Sequence, residues 1–111
     1  MYLAYQDLAQ GKKATVIKYA GSQWEVVGEQ GFSAGEAHYI SLALDSSDNP
    51  VVAYSDDAND EKATVMKYNG SGWVNAGSPG FSAGKATYTS LALDASDNPA
   101  VSYTHLRAHE T

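Results

Sequence analysis

The sequence predicts an all-β protein built from tandem copies of one unit, in which antiparallel strands are joined by short turns. The chain repeats itself at a constant offset of 49 residues, and 28 of 43 positions are identical between 12–54 and 61–103. Neither copy spaces its apolar residues as an amphipathic helix does, so no helix is predicted. The copies align without a gap: KATVIKY at 13–19 returns as KATVMKY at 62–68, GFSAG at 31–35 returns at 80–84, and SLALD at 41–45 returns at 90–94.

Each unit has the residue pattern of four short strands. In the complete unit these are strand a (41–45), strand b (50–55), strand c (63–68) and strand d (73–77). Ser, Asp and Asn at 46–49 suit a tight turn because they bond their own backbone and tolerate positive φ. An Asn-Gly pair opens the second turn at 69–72. Four antiparallel strands in about 50 residues are typical of a β-propeller blade, which a Gly-rich connector at 80–88 would join to the next blade.

The register predicts an incomplete β-propeller-like array of about two antiparallel four-stranded blades. The repeat match ends at Tyr103. The following tail is similar to translated adapter sequence at the ends of metagenomic gene fragments, and we expect it to be foreign to the fold. The predicted parts are a partial blade at 2–40 (strands b, c and d), a complete blade at 41–89, an a–b hairpin of a third blade at 90–103, and the tail at 104–111.

The hairpin SLALDSSDNPVVAY at 41–54 resembles the core of NHL-type and related bacterial propeller repeats, and the unit has kelch-like length. The whole unit more closely resembles tandem repeats of large secreted or cell-surface bacterial proteins. This resemblance implies a secreted or cell-surface location. Asp48 and Asp97 depart from it, since the propeller hairpin usually has Gly there. Asp adopts the left-handed region less readily than Gly, which allows a different turn type.

Charge and composition argue against several classes of function. Thirteen acidic residues oppose seven basic ones, for a net charge of −6. This balance disfavours capture of nucleic-acid phosphates or of a membrane surface. The chain has no cysteine for a thiolate metal site or a disulfide. It also lacks an apolar run long enough to cross a bilayer and the pattern of a signal peptide. We therefore expect neither a nucleic acid nor a membrane as partner.

The b–c loops and d–a connectors of a propeller blade share one face, which usually holds the ligand. The b–c loop at 56–61 is acidic and could coordinate a hard cation. The equivalent loop at 6–11 has lost most of these carboxylates, so we expect no metal and no cofactor. The two copies differ at His38, which Thr87 replaces in the second copy. The candidate ligand-binding residues are His38, Tyr39, Tyr88, Asp56 and Asp57.

Other aromatic residues are expected between neighbouring blades. Trp24, Trp73, Phe32 and Phe81 are assigned to this core because large rings bury the most area there. Tyr39 and Tyr88 end the connectors, and for them core and ligand contact both remain open.

The sequence shows no arrangement typical of an enzyme. Asp45 and Asp94, each followed three residues later by another Asp, recur in both units, and we interpret them as turn-formers. No Ser/His/Asp order, phosphate loop or zinc spacing occurs.

Three functions therefore remain open. The first is a non-enzymatic binding or surface module within a secreted bacterial propeller protein. The second is a lectin-like propeller with glycan pockets between blades. The third is part of a propeller hydrolase or lyase whose catalytic residues lie outside this chain. The expected partners are other blades of the array, a second copy of the chain, a glycan or a surface protein.

Overall fold

The structure is a computed structural model that describes residues 1–105. It contains three antiparallel sheets, with strand orders β1-β2-β3, β4-β5-β6-β7 and β8-β9. Two short 3-10 helices, Leu8–Gln10 and Asp57–Asn59, connect β1 to β2 and β5 to β6. The strands are β1 (Tyr2–Asp7), β2 (Lys13–Ala20), β3 (Gln23–Val26), β4 (Ala37–Leu44), β5 (Pro50–Asp56), β6 (Lys62–Tyr68), β7 (Trp73–Asn75), β8 (Ala86–Leu93) and β9 (Pro99–His105).

The prediction of an all-β fold with antiparallel sheets is confirmed. The complete unit forms one four-stranded sheet in chain order, from strand a (β4) to strand d (β7). The first sheet holds strands b, c and d, and the third holds strands a and b. Within residues 1–105 these sheets do not close into a barrel or a ring.

Strand a is longer than the sequence pattern predicts. β4 begins at Ala37 and β8 at Ala86, each four residues before the predicted start. The pairing of β4 with β5 shifts register between His38 and Ser41, and β8 repeats this bulge. A bulge breaks the alternation of side chains, so the residues before it do not have the sequence pattern of a strand. The 3-10 helices were also not predicted, because three residues are too few to show a helical period.

The a–b turns are held by their first carboxylate. Asp45 Oδ1 accepts hydrogen bonds from the backbone N–H groups of Ser47 and Asn49, both at 2.9 Å. Asp94 accepts the equivalent two bonds in the second copy. Their interpretation as turn-formers is therefore confirmed.

Asp97, the second Asp of the later turn, connects neighbouring sheets through its side chain. Asp48 and Asp97 adopt positive φ, 62° and 65°, as the Gly of a propeller hairpin would. The Asp97 carboxylate also accepts hydrogen bonds from Ser46 N at 2.9 Å and Ser46 Oγ at 2.6 Å. A Gly could not provide this link, which gives a physical reason for Asp at that position.

The sheets stack face to face, with β5 in the middle. Val52 and Tyr54 point into a core shared with the first sheet. Val51 and Ala53 point the other way, into a core that includes Leu91 of β8. A strand covered on both faces is apolar throughout rather than alternating, which explains the run of buried residues from 50 to 56.

The aromatic core prediction holds for one copy of each residue and is wrong for the other. Trp73 stacks on Phe32 with ring centroids 3.9 Å apart, and its Nε1 donates to the Val27 carbonyl at 2.9 Å. By contrast, Trp24 is 44% exposed and Phe81 is 46% exposed. The cause is position, because among residues 1–105 no sheet lies beyond the outer faces on which these two rings sit.

The last strand runs past the end of the repeat match. Thr104 pairs with Thr87, and His105 pairs with Ala86, so β9 ends two residues beyond Tyr103. Strand pairing uses the backbone and does not require the side chains to follow the repeat. The rest of the predicted tail, residues 106–111, lies outside the described residues. In the described part of the chain, no helix has the length and apolarity needed to cross a membrane.

Candidate functional site

A hydrogen-bonded relay fixes the edge where the b–c loop meets the connector. Gly80 N donates to Thr64 Oγ1 at 2.8 Å, and Thr64 Oγ1 donates to Asp56 Oδ2 at 2.7 Å. Asn59 Nδ2 also donates to Oδ2 at 2.8 Å, and Ala58 N donates to Oδ1 at 3.0 Å. One carboxylate thus holds the loop, strand c and the connector together.

Asp56, one of the candidate ligand-binding residues, has a structural role at this edge. It is 1% exposed, and both of its carboxylate oxygens accept hydrogen bonds from protein donors. The first copy repeats the relay, since Gly31 N donates to Thr15 Oγ1, which donates to Asp7 at 2.8 Å.

The acidic loop and the preceding connector lie against each other. Asp57 N donates to the Glu36 carbonyl at 3.0 Å. A Cβ on Gly35 would lie 3.0 Å from Ala58 N, so a larger residue would push the connector off the loop. This contact brings candidate residues from separate parts of the sequence to one edge.

His38 lies at the centre of a polar cluster on this edge. Its Nε2 is 3.5 Å from Glu36 Oε1 and 3.6 Å from Asp57 Oδ1. On the other side of the ring, Gln6 Nε2 lies 3.1 Å from Nδ1 and also donates to the Ala37 carbonyl at 3.0 Å. The Gln6 amide therefore donates to Nδ1, which places the proton of the neutral imidazole on Nε2, facing the two carboxylates.

The same cluster could be considered a metal centre. Ligand atoms of Glu36, His38 and Asp57 lie within 4.8 Å of one another. A His that binds metal through Nε2 carries its proton on Nδ1 and donates it to an acceptor. Here Nδ1 faces the donating Gln6 amide, which is itself held by the Ala37 carbonyl. The geometry therefore favours a hydrogen-bonded imidazole over a metal ligand.

The next connector along the chain, at 80–88, has different side chains at the positions of Glu36 and His38. Lys85 replaces Glu36, and Thr87 replaces His38. Lys85 Nζ pairs with Glu61 Oε2 at 3.5 Å. The two connectors thus occupy equivalent repeat positions but differ in charge.

Tyr39 and Tyr88 meet in the bulges of β4 and β8. Their ring centroids are 4.6 Å apart with planes tilted by 49°, and their side chains are 45% and 68% exposed. Both residues have φ of 53°, in the left-handed region. Thr89 Oγ1 donates to the Tyr39 carbonyl and so connects the two bulges.

A depression of about 420 Å³ extends from this cluster along the free edge of β1. It separates β1 from the start of β4. Its lining residues are Ala4, Tyr5, Gln6, Ala37, His38, Tyr39 and Ile40.

The structure groups four of the five candidate residues as two pairs, His38 with Asp57 and Tyr39 with Tyr88. Sequence reasoning missed Gln6 as a site residue. It lies 32 positions from His38 in the preceding copy, and no local pattern relates them.

The cluster offers hydrogen bonding, charge and exposed ring faces to a ligand. In residues 1–105, the recorded side-chain partners of the His38 ring nitrogens are the Gln6 amide and the carboxylates of Glu36 and Asp57. No protein-family model matches the chain, and no similar curated protein or solved structure was found.

Proposed function

We propose that the chain is a non-enzymatic binding module made of β-propeller-type blades, within a secreted or cell-surface protein. Its ligand binds along the edge where the b–c loops meet the connectors. Tyr39 and Tyr88 supply ring faces, and His38 with Asp57 supplies polar contacts.

The single observation that carries this proposal is the backbone conformation of the two tyrosines. Holding a bulky residue in the left-handed region costs about 1–2 kcal/mol, which Gly would avoid. Both copies have Tyr there with φ of 53°, although Tyr39 is 45% exposed and Tyr88 is 68% exposed. Strained residues are found preferentially at binding sites, where the function compensates for the strain.

A carbohydrate is the ligand class that this edge favours. The faces of sugar rings are apolar and pack on aromatic rings, while their hydroxyls need donors and acceptors nearby. Tyr39 and Tyr88 provide two adjacent rings, and the carboxylates of Glu36 and Asp57 provide acceptors on the same edge. A lectin-like module is therefore the second candidate.

The test is a screen of immobilised glycans and bacterial surface proteins, followed by calorimetric titration of each hit. Tyr88→Ala should weaken binding at least about tenfold, the loss expected for one ring contact of about 1.4 kcal/mol. Tyr19→Ala is the matched control, because this tyrosine is 45% exposed but lies on β2 against Trp24. Equal binding by both variants would refute the assignment of this edge.

A further inference from the structure

Two surface depressions lie at repeat positions whose equivalents, 49 residues away, are occupied by a side chain or a strand of the same chain. The smaller one has a volume of about 240 Å³. Its lining residues are Val65, Ala76, Gly77, Ser78, Phe81, Pro99 and Val101. The positions 49 residues earlier include Phe32, on which Trp73 stacks at 3.9 Å, and Val27, whose carbonyl accepts a hydrogen bond from the Trp73 indole.

Glycine makes room for the tryptophan in the filled slot. A Cβ on Gly28 would lie 2.8 Å from Trp73 Cδ1, so any larger residue would displace the indole. Gly77 occupies the same repeat position, and its Cβ would meet nothing within 4 Å. The second slot therefore has the shape of the first but no ring in it.

The group that fits this slot is at the opposite end of the chain. Trp24 is the repeat equivalent of Trp73. It is 44% exposed, and its ring contacts Tyr19 at 5.4 Å between ring centroids. Leu3, on β1 of the same sheet, is also exposed. The outer face of the first sheet, which carries Trp24, is therefore the repeat equivalent of the face of the second sheet that carries Trp73 and packs on the first sheet.

The larger depression, beside β1, lies where a partner strand is missing rather than a ring. β1 is a strand b, and in the complete sheet the corresponding strand β5 pairs with β4 as well as with β6. Among residues 1–105, β1 pairs only with β2, and β8 pairs only with β9. An unpaired edge of this kind is a template for another strand.

We propose that a second copy of this chain fills both depressions in a single head-to-tail contact. β8 of one copy pairs with β1 of the next and forms a complete blade with β2 and β3 of that copy. Trp24 of the second copy then enters the slot beside Gly77 and stacks on Phe81. The register follows that of β4 with β5, so Ala86 pairs with Asp7 and Leu91 with Leu3 of the second copy.

In this exchange β9 gives way, because β9 and β1 are the same strand of the repeat. Asp7 holds β1 in place by accepting hydrogen bonds from Ala9 N and from Thr15 Oγ1. In β9 the position that corresponds to Asp7 of β1 is His105. Each β8 loses one antiparallel partner and gains another, so the main-chain hydrogen bonds are conserved.

The occupant is a second copy because the interface already exists within the chain. The contact between the first and second sheets already contains the ring stack, the indole hydrogen bond and the close approach of Gly28 to the Trp73 ring. The two ends of the chain carry the two halves of that contact. This inference goes beyond the ligand edge and does not depend on it.

Two variants each remove one half of the proposed contact between copies. Trp24→Ala keeps the slot but lacks the ring that enters it, whereas Phe81→Glu keeps the ring but places a charge in the slot. Ser71→Glu is the control, since Ser71 is exposed in the turn between β6 and β7 and lines neither depression. Because all three side chains are exposed, each variant should melt like the dilute wild-type chain.

Light scattering after size exclusion measures the assembly. The wild-type chain and Ser71→Glu should form species larger than 11.8 kDa as concentration rises. Trp24→Ala and Phe81→Glu should each associate about 30-fold more weakly, the factor for a loss of about 2 kcal/mol. Mixed together, they should form a one-to-one dimer, because one functional interface remains. The proposal would be overturned by a wild-type chain that stays monomeric, by normal association of either Trp24→Ala or Phe81→Glu alone, or by a mixture of those two variants that stays monomeric.

A Trp73→Phe chain gives a second readout that does not depend on the paired variants. Trp24 is then the sole tryptophan, since the chain has two. Its fluorescence should move to shorter wavelength as concentration rises, because the indole leaves water for the slot. Emission that does not change with concentration would contradict the proposal.

Discussion

At the scale of single residues, the same amino acid at the same repeat position can have opposite roles. Trp73 bridges two sheets through a ring stack and an indole hydrogen bond, whereas Trp24 lies on an outer face. Residue type and repeat position predicted both as core. What decides between them is whether a neighbouring sheet is present, and the residue itself carries no sign of that.

Replacing each tryptophan with alanine should separate these roles. Trp73→Ala should lower the free energy of unfolding by about 3 kcal/mol, since it empties an aromatic site between sheets. Trp24→Ala should lower it by less than about 1 kcal/mol in dilute solution, as is usual for surface positions. Urea unfolding of both variants at the same low concentration measures the difference. Equal losses would mean that the two sheets are not packed through Trp73.

Tyr54 should make the fold sensitive to alkaline pH. Burial raises the pKa of its phenol above the ordinary value, and the nearby Asp56 carboxylate raises it further. The folded state therefore resists the ionisation that the unfolded chain undergoes near pH 10. The resulting stability is fully present below about pH 10 and is lost as pH rises further. Burial, followed by the Asp7 carboxylate, shifts the pKa of Tyr5 in the same direction.

Tyr54→Phe removes this titrating group and keeps the ring. Between pH 8 and pH 11, the variant should lose less unfolding free energy than the wild-type chain does. Urea titrations at both pH values measure the two slopes. An identical pH dependence in both chains would show that Tyr54 is not the group responsible.

At the scale of elements, turns were easier to predict than the bulges in strand a. The a–b turn forms from residues adjacent in sequence, because the Asp45 carboxylate accepts from backbone groups two and four positions later. The bulge between His38 and Ser41 depends on pairing with β5 and on the Thr89 hydroxyl, 50 residues away. Local patterns contain the first kind of information but not the second.

The bulge in β8 allows a test of backbone strain. Tyr88→Ala and Tyr88→Gly both remove the ring, but only Gly adopts positive φ freely. The Gly variant should therefore be more stable than the Ala variant by about 1 kcal/mol. Thermal and urea unfolding of the two proteins give the comparison. If the Ala variant is the more stable one, the left-handed conformation at this position is not strained.

The same pair of variants also separates stability from binding. Both should lose affinity for the ligand to the same degree, because both lack the ring. A Gly variant that unfolds later than the Ala variant but binds no better would match a residue kept for recognition rather than for stability.

At the scale of the whole molecule, the repeat carries most of the fold, and the differences between its copies carry the site. The constant offset of 49 residues was enough to predict the strands of every sheet. The site was only partly predictable, because it forms between copies. His38 and Tyr88 were found as sequence differences and connector ends, but their contacts with Gln6 and Tyr39 arise from stacking of the sheets.

Stacking should also set a gradient of local stability along the chain. β5 has a core on both faces and a paired strand on both sides, so its amides open only when the whole molecule unfolds. The residues of β3 are exposed throughout, and β9 has a single partner strand in the part of the chain that the structure describes. Amide hydrogen exchange at a concentration where the chain is monomeric should therefore be slowest in β5 and several powers of ten faster in β3 and β9. Uniform protection across the three sheets would mean that they unfold as one unit, and that burial on both faces gives β5 no extra local stability.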